Sequence, residues 1–253
     1  MTRTDKDLLL EFVKTDFTLR YNNSILGFLW VVIKPLLTFT VMYIVFSILL
    51  GGSVKFYALY LLLGTIMYTF FQEITINGLN SLLQKKDMML KVNFKRYLAV
   101  VGSTLIAVIN FTFNLVVIII FFAFNRILPS PLDILIFIFG IFILYILGLA
   151  IAFFISILHV LFRDLQHIWD IFMLVLFYLT PIVYPLSLIK GKTLYIIDAN
   201  PLTHIFNFTR EALIYNKIES VYSTLLIFII SVVLLYISYR FFSKKIMKIA
   251  EDF

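Results

Sequence analysis

Residues 134–162 read ILIFIFGIFILYILGLAIAFFISILHVLF, 29 consecutive positions without a formal charge. A helix that crosses the bilayer core needs about 20 mostly apolar residues. At about 1.5 Å per residue this stretch reaches roughly 43 Å against a hydrocarbon core of roughly 30 Å, so it must tilt or project from the membrane. An isolated strand has no partner for its backbone groups in lipid, so the stretch must be helical. Five further stretches lack formal charge: 35–54, 56–72, 97–125, 171–189 and 220–239. Together they predict an all-α integral membrane protein with six transmembrane helices.

Composition agrees with this reading. The chain has 253 residues, 62% hydrophobic and 14% charged, with a mean hydropathy of +1.03. Soluble domains carry about 25% charged residues. No long stretch has ordinary soluble composition, so a single membrane domain, 1–253, is expected. Cysteine is absent, which excludes disulfides and thiolate metal sites. The start, MTRTDKDLLLEF, does not read as a signal peptide, so entry through the first span is expected. The net charge of +7 comes without the aromatic–basic interleaving of a nucleic-acid reader. It fits loops facing an anionic leaflet.

Loop charges predict direction. With the N-terminus inside, the cytoplasmic segments hold Arg3, Lys6, Lys14, Arg20, Lys85, Lys86, Lys91, Lys95, Arg96, Arg163, Arg240, Lys244, Lys245 and Lys248. The opposite side holds Lys55, Arg126, Lys190, Lys192, Arg210 and Lys217. This asymmetry, 14 against 6, favours both termini inside.

Three segments stand apart from the spans. Residues 4–19 predict an amphipathic helix on the cytoplasmic membrane surface, with Thr4 and Asp7 resembling a capping box. Asp7, Glu11, Lys14 and Thr18 form its polar face, and Leu9, Leu10, Phe12, Val13 and Phe17 its apolar one. It is either a passive anchor or a partner contact. Residues 80–96 form a basic, amphipathic connection, either a solvated loop enforcing topology or a docking element. The fifth stretch carries Thr180-Pro181-Ile182-Val183-Tyr184-Pro185, and two prolines four apart break or kink a helix. The following segment, 186–217, is too interrupted for a clean span and too apolar for a water-exposed loop. Re-entrant short helices at the outer interface fit it.

Chemical motifs are few. Gly191-Lys192-Thr193 resembles the end of a phosphate-binding loop, but Leu186 stands where that motif needs glycine. His159, His167 and His204 are too scattered for a metal site. Glu73, Asp170, Arg163 and Asp164 are all expected near an interface, where they can snorkel or pair; no catalytic group is assigned. The 28 Phe and 14 Tyr serve lipid-facing packing and interfacial belts, or aromatic faces along which a sugar can slide.

Four motifs then line up in order. Residues 20–30, RYNNSILGFLW, run into Lys34-Pro35-Leu36; Phe162-Arg163-Asp164-Leu165 follows span four; Thr180-Pro181-Ile182-Val183-Tyr184 ends span five; Asn200-Pro201 follows. Their order and spacing, over nearly the whole chain, resemble the permease subunits of type-2 ABC exporters. The nearest branch exports lipid-linked O-antigen, capsular polysaccharide and teichoic acid. The resemblance implies a homodimeric channel and two copies of a separate cytoplasmic ATPase, which would carry ATP and Mg; no cofactor is implied in this chain. Its other partners would be lipid-linked polysaccharide and membrane lipids, not nucleic acid, in the inner (cytoplasmic) membrane of a bacterium or archaeon.

The resemblance also implies roles for segments and residues. The interface helix (4–26) and coupling loop (80–97) would contact the ATPase, and 186–217 would line the outer channel mouth. Arg20, Tyr21, Gly27 and Trp30 would link the interface helix to span one, with Lys85, Lys86, Asp87, Lys91, Lys95 and Arg96 on the coupling side. Arg163 and Asp164 would act at the cytoplasmic gate, and Thr180, Pro181 and Tyr184, with Asn200 and Pro201, at the outer turn. Phe177 and Tyr178 are candidate channel aromatics. Two alternatives remain: a related permease for small hydrophobic drugs or lipo-oligosaccharides, and a membrane-embedded enzyme of glycan or lipid assembly.

Overall fold

The computed structural model describes residues 3–21, 25–50, 54–92, 94–218 and 221–249. Asn22, Asn23 and Ser24 of the first motif, Asn93 of the coupling loop, and the side chains of Arg3, Thr4 (of the expected capping box) and Lys248 lie outside the described residues. Among the described residues the α-helices run α1 Arg3–Tyr21, α2 Trp30–Leu50, α3 Tyr57–Gln84, α4 Lys86–Lys91, α5 Tyr97–Phe124, α6 Pro131–Leu161, α7 Leu165–Leu179, α8 Lys192–Asp198, α9 Pro201–Tyr215 and α10 Val221–Ile249. Five stretches are long and apolar enough to cross a membrane: Gly27–Leu50, Tyr57–Gln84, Tyr97–Phe124, Pro131–Leu161 and Val221–Ile246. The protein is a multi-pass membrane protein.

The stretch that opened the sequence reading is α6. It begins three residues early because Ser130 and Asp133 form a capping box, with Asp133 Oδ2 accepting from Ser130 N at 2.8 Å. A filter on formal charge stops short of such a cap, although the cap satisfies otherwise orphaned N–H groups. For the same reason α3 does not stop at Gln72, where span two was expected to end. It carries Glu73 in its middle and continues to Gln84. Glu73 therefore lies within the helix rather than at its end. Likewise α10 continues past Tyr239 into the basic segment.

The fifth expected span differs most. Of stretch 171–189 only 171–179 is α-helical, within α7, a helix of only 15 residues, about 22 Å and short of the roughly 30 Å core. It starts earlier, at Leu165, and ends at Thr180, where the Pro181–Pro185 sequence forbids helical continuation.

The first span also shifts, from 35–54 to Trp30–Leu50, with Pro35 inside the helix. Pro35 has no N–H to give the Val31 carbonyl. Asn114 Nδ2 of α5 donates to Val31 O instead, at 3.3 Å. The defect that proline makes is thus satisfied from a neighbouring helix.

Helix α3 is the axis of the bundle. It packs against α2, α5, α6, α7 and α9, with Leu59, Leu61, Leu62, Ile74 and Leu82 all 0% exposed. Close approach comes from small residues: a Cβ on Gly78 would meet Ala152 Cβ of α6 at 2.2 Å. Between membrane helices, where lipid is as apolar as leucine, such packing replaces the hydrophobic effect as the cohesive force. By contrast α2, α7 and α10 leave broad aliphatic faces open, including Val41, Ile44, Ile171, Val175, Ile229 and Val233.

Helix α1 docks along α5. Phe12 is 2% exposed and meets Phe94 edge-on at 5.2 Å, while Gly102 leaves room for its Cβ. The expected polar face of Asp7, Glu11, Lys14 and Thr18 is exposed.

Candidate functional site

Three tiers of polar contacts run from α1 to the Pro181–Pro185 turn. The first joins α1 to the connection between α3 and α5. Lys85 Nζ lies 2.5 Å from Asp16 Oδ2 and 2.7 Å from Ser103 Oγ. Lys95 Nζ lies 2.6 Å from Asp5 Oδ2, and Arg96 donates to Ile246 O of α10 at 3.2 Å. Burial pushes the Lys85 ammonium down, and the Asp16 contact pulls it back. Lys95 is held above the usual lysine range by its hydrogen bond to Asp5.

These contacts divide the residues assigned to coupling. Lys85 is buried at 6% exposure, tying helices together internally. Asp87, Lys91 and Lys95 are exposed, and Lys86 and Arg96 are half-buried. Much of the expected loop is helical: 80–84 belong to α3, and Lys86–Lys91 form α4.

The second tier is a cavity of about 680 Å³ bounded by the end of α1, the start of α2, the middle of α3, and α7. Arg20, Tyr21 and Trp30 line it together with Phe177 and Tyr178. Residues assigned from sequence to a helix junction and to a channel thus share one space. Arg20 Nη2 donates to Asn77 Oδ1 at 2.7 Å. Tyr21 Oη donates to Asn110 Oδ1 at 3.3 Å, and Asn110 Nδ2 donates to Glu73 Oε2 at 2.7 Å. Gly27 does not line the cavity, but its φ of +48° turns the chain between α1 and α2 in a region that glycine enters without Cβ strain. Tyr68 of α3 donates to Met173 O and meets Phe177 edge-on at 5.2 Å, so α7 is pinned along the wall.

The third tier holds the turn. Tyr57 Oη donates to Val183 O at 2.9 Å, and Tyr60 Oη lies 3.0 Å from both Pro181 O and Tyr184 O. Arg210 of α9 donates to Pro181 O at 2.5 Å and Ile182 O at 3.0 Å. Its guanidinium carbon sits 3.7 Å from the Tyr60 ring centroid. Arg210 is 1% exposed. Two carbonyls and an aromatic face take the place of an acid there. Asn200 caps α9 by accepting from Leu202 N at 3.0 Å and donates to Thr180 Oγ1 at 2.9 Å, which links both halves of the turn. Pro201 opens α9 at its first position.

Thr180, Pro181, Tyr184, Asn200 and Pro201 therefore gather in one place. Arg163 and Asp164 do not join them; both are exposed where α7 begins. Sequence reasoning missed Arg210 as a site residue, placing it only among the outer charges. It also passed over Asn77, Asn110 and Asn114. The signal was present: Asn110 and Asn114 are four apart inside an apolar stretch, and amides at that spacing share a helix face. His159, by contrast, is structural, with Nδ1 3.1 Å from Leu79 O in a buried setting.

Comparison with known proteins gives the context. Two O-antigen export system permease proteins, RfbA, from Klebsiella pneumoniae are 27% and 28% identical over 251 residues, each comparison covering 97% of this chain and 94% of the relative. An RfbA of the same description from Myxococcus xanthus is 23% identical over 250 residues, covering 98% and 95%. The ABC-2 type transporter family matches residues 8–214. With its apolar helices, its cavity and a match over most of its length, the chain belongs to the ABC-2 type transporter family.

Proposed function

We propose that this chain is the transmembrane subunit of an ATP-driven exporter that moves lipid-linked cell-surface polysaccharide outward. The observation that carries the reading is the extent of the likeness: O-antigen export permeases match 97% or 98% of the chain, not a fragment of it. The cavity supports it chemically. Its wall mixes Trp30, Phe177 and Tyr178 with Thr69, Gln72 and Asn77, giving flat faces for sugar rings and amide or hydroxyl partners for sugar hydroxyls.

A second copy of the chain completes the channel. Two ATPase subunits, which carry ATP and Mg, dock at the end that bears α1 and α4, where Asp87 and Lys91 are exposed. In this arrangement α1 is the interface helix, both termini are cytoplasmic, and the membrane is the inner one. Helix α7 with the turn after it makes the sixth crossing. Helices α8 and α9 form the re-entrant pair. Supporting this, a groove beside the start of α9 is lined by Leu147 and Ile230, well inside α6 and α10, while Tyr215 at its other end donates to Lys55 O at 3.2 Å.

The test is co-expression with the ATPase encoded beside this gene, together with deletion of the gene. Formation of a stable complex and loss of surface glycan are expected. No complex and unchanged glycan refute the reading. ATPase stimulation by small amphiphiles but not by lipid-linked glycans moves the substrate to small hydrophobic compounds.

A further inference from the structure

The cavity between α1, α2, α3 and α7 carries an unmet demand. Asn77 is 6% exposed. Its Oδ1 accepts from Arg20 Nη2 at 2.7 Å, which fixes the amide orientation. Its Nδ2 is then left buried without a partner. Buried polar groups are nearly always paired, so an orphan donor on a cavity wall points to an acceptor that enters from the cavity. Two cations line the same space, Arg20 and Lys34.

We infer that this cavity is a binding site for a lipid-borne phosphate, held by Arg20, Lys34 and the free Nδ2 of Asn77. An anion is called for because all three groups are donors, and neither an amide N–H nor a guanidinium can ligate a cation. Two acids face the cavity as well, Glu73 and Asp170. Glu73 already accepts from Asn110 at 2.7 Å. The acids offer acceptors for hydroxyls beside the phosphate. The volume, about 680 Å³, is in the range of ligand pockets, about 300–1,000 Å³.

The ligand is lipid-borne because two walls of the cavity, α2 and α7, also carry lipid-compatible exposed faces. Leu37, Val41 and Ile44 of α2 and Ile171, Leu174 and Val175 of α7 are exposed, and both helices pack on α3. A headgroup in the cavity can leave its tail along these faces. The phosphate comes either from the lipid carrier of the exported glycan or from a bilayer phospholipid. Only the first assignment rests on the proposed function; the site itself does not.

The test uses the full chain in phosphatidylcholine nanodiscs, titrated with farnesyl diphosphate, with farnesol as the tail-only control. Binding of the diphosphate and not of farnesol is expected. Asn77→Asp keeps an oxygen facing Arg20 but turns the free donor into an acceptor, so folding is retained and anion binding is lost. Asn77→Asp and Lys34→Met are each expected to weaken binding roughly ten- to a hundredfold. Thermal melting of both variants identifies any loss that is merely unfolding, and in that event Lys34→Gln is read in place of Lys34→Met. Competition by phosphatidylglycerol in the nanodisc, with the same dependence on Lys34, supports the site and assigns the phosphate to the bilayer. No competition supports the site with the glycan's phosphate-bearing lipid carrier as its ligand. Equal affinity in wild type and both folded variants, equal binding of farnesol, or no binding overturns the inference. If binding fails yet gene deletion still removes surface glycan, the proposed function stands without this site.

Discussion

Gly64 of α3 offers a direct test of how the Pro181–Pro185 turn is held. A Cβ placed there would lie 1.8 Å from Arg210 Nη2 and 3.2 Å from Ile182 Cγ2. Ordinary contact begins at 3.4 Å, so the guanidinium must retreat by about 1.6 Å. That movement breaks the 3.0 Å bond to Ile182 O and lifts the cation from the Tyr60 ring. Losing a hydrogen bond from a charged donor costs about 1.5–3 kcal/mol, and overpacking a filled core adds about 1–3 kcal/mol. Gly64→Ala is therefore expected to destabilise the chain by about 3–5 kcal/mol. The assay is equilibrium unfolding of the purified chain in mixed micelles titrated with sodium dodecyl sulfate. The control is Arg210→Met, which leaves nothing charged for the new methyl group to displace. In that background Gly64→Ala should cost less, and the cycle should show a coupling of about 1–3 kcal/mol. A near-neutral Gly64→Ala, or strictly additive effects, refutes the account of the clamp.

Other outcomes follow from the same contacts. Lys85→Met leaves Asp16 without its cation in a largely buried setting, so a loss of about 3–5 kcal/mol is expected in the same unfolding assay, with faster tryptic cleavage at Lys14. Gly27→Ala clashes with nothing, since the nearest atom to its Cβ is 3.6 Å away. It pays only for a left-handed backbone, about 1–2 kcal/mol, and should perturb the α1–α2 connection without loosening α3. The Lys95–Asp5 contact raises the lysine's pKa. Its contribution to docking of α1 is thus full below the ordinary lysine range and is lost as pH rises through the raised value. The chain has no cysteine, so a pH-insensitive fluorophore attached to a single cysteine at Leu9 should report release of α1 in that alkaline window, and a Lys95→Met variant should lack the step.

Much of this protein is written in local pattern. Apolar stretches long enough for lipid specify helices whatever their neighbours, because the backbone has no other way to satisfy itself there. That is why α5 begins at Tyr97 as read from sequence and why α6 could be recognised from residues 134–162 alone. Prolines are local too, and the break after Thr180 was visible for that reason. Helix ends were less legible when formal charge served as the boundary, since Glu73 and Asp133 are polar residues that the fold takes inside a helix or uses as its cap.

What only the tertiary structure decided is which polar groups meet. Arg20 and Asn77 are 57 positions apart, Tyr57 and Val183 are 126 apart, and Arg210 reaches its carbonyl partners across 28 and 29. No periodicity encodes such pairings. They depend on α3 lying at the axis, where Gly64 and Gly78 let neighbours approach more closely than a side chain would allow. Sequence alone could place a charge on a segment. Whether that charge faces a partner, a carbonyl clamp or an open cavity is set by how the helices pack, because inside lipid a buried polar side chain that its own helix does not satisfy needs a partner on another helix.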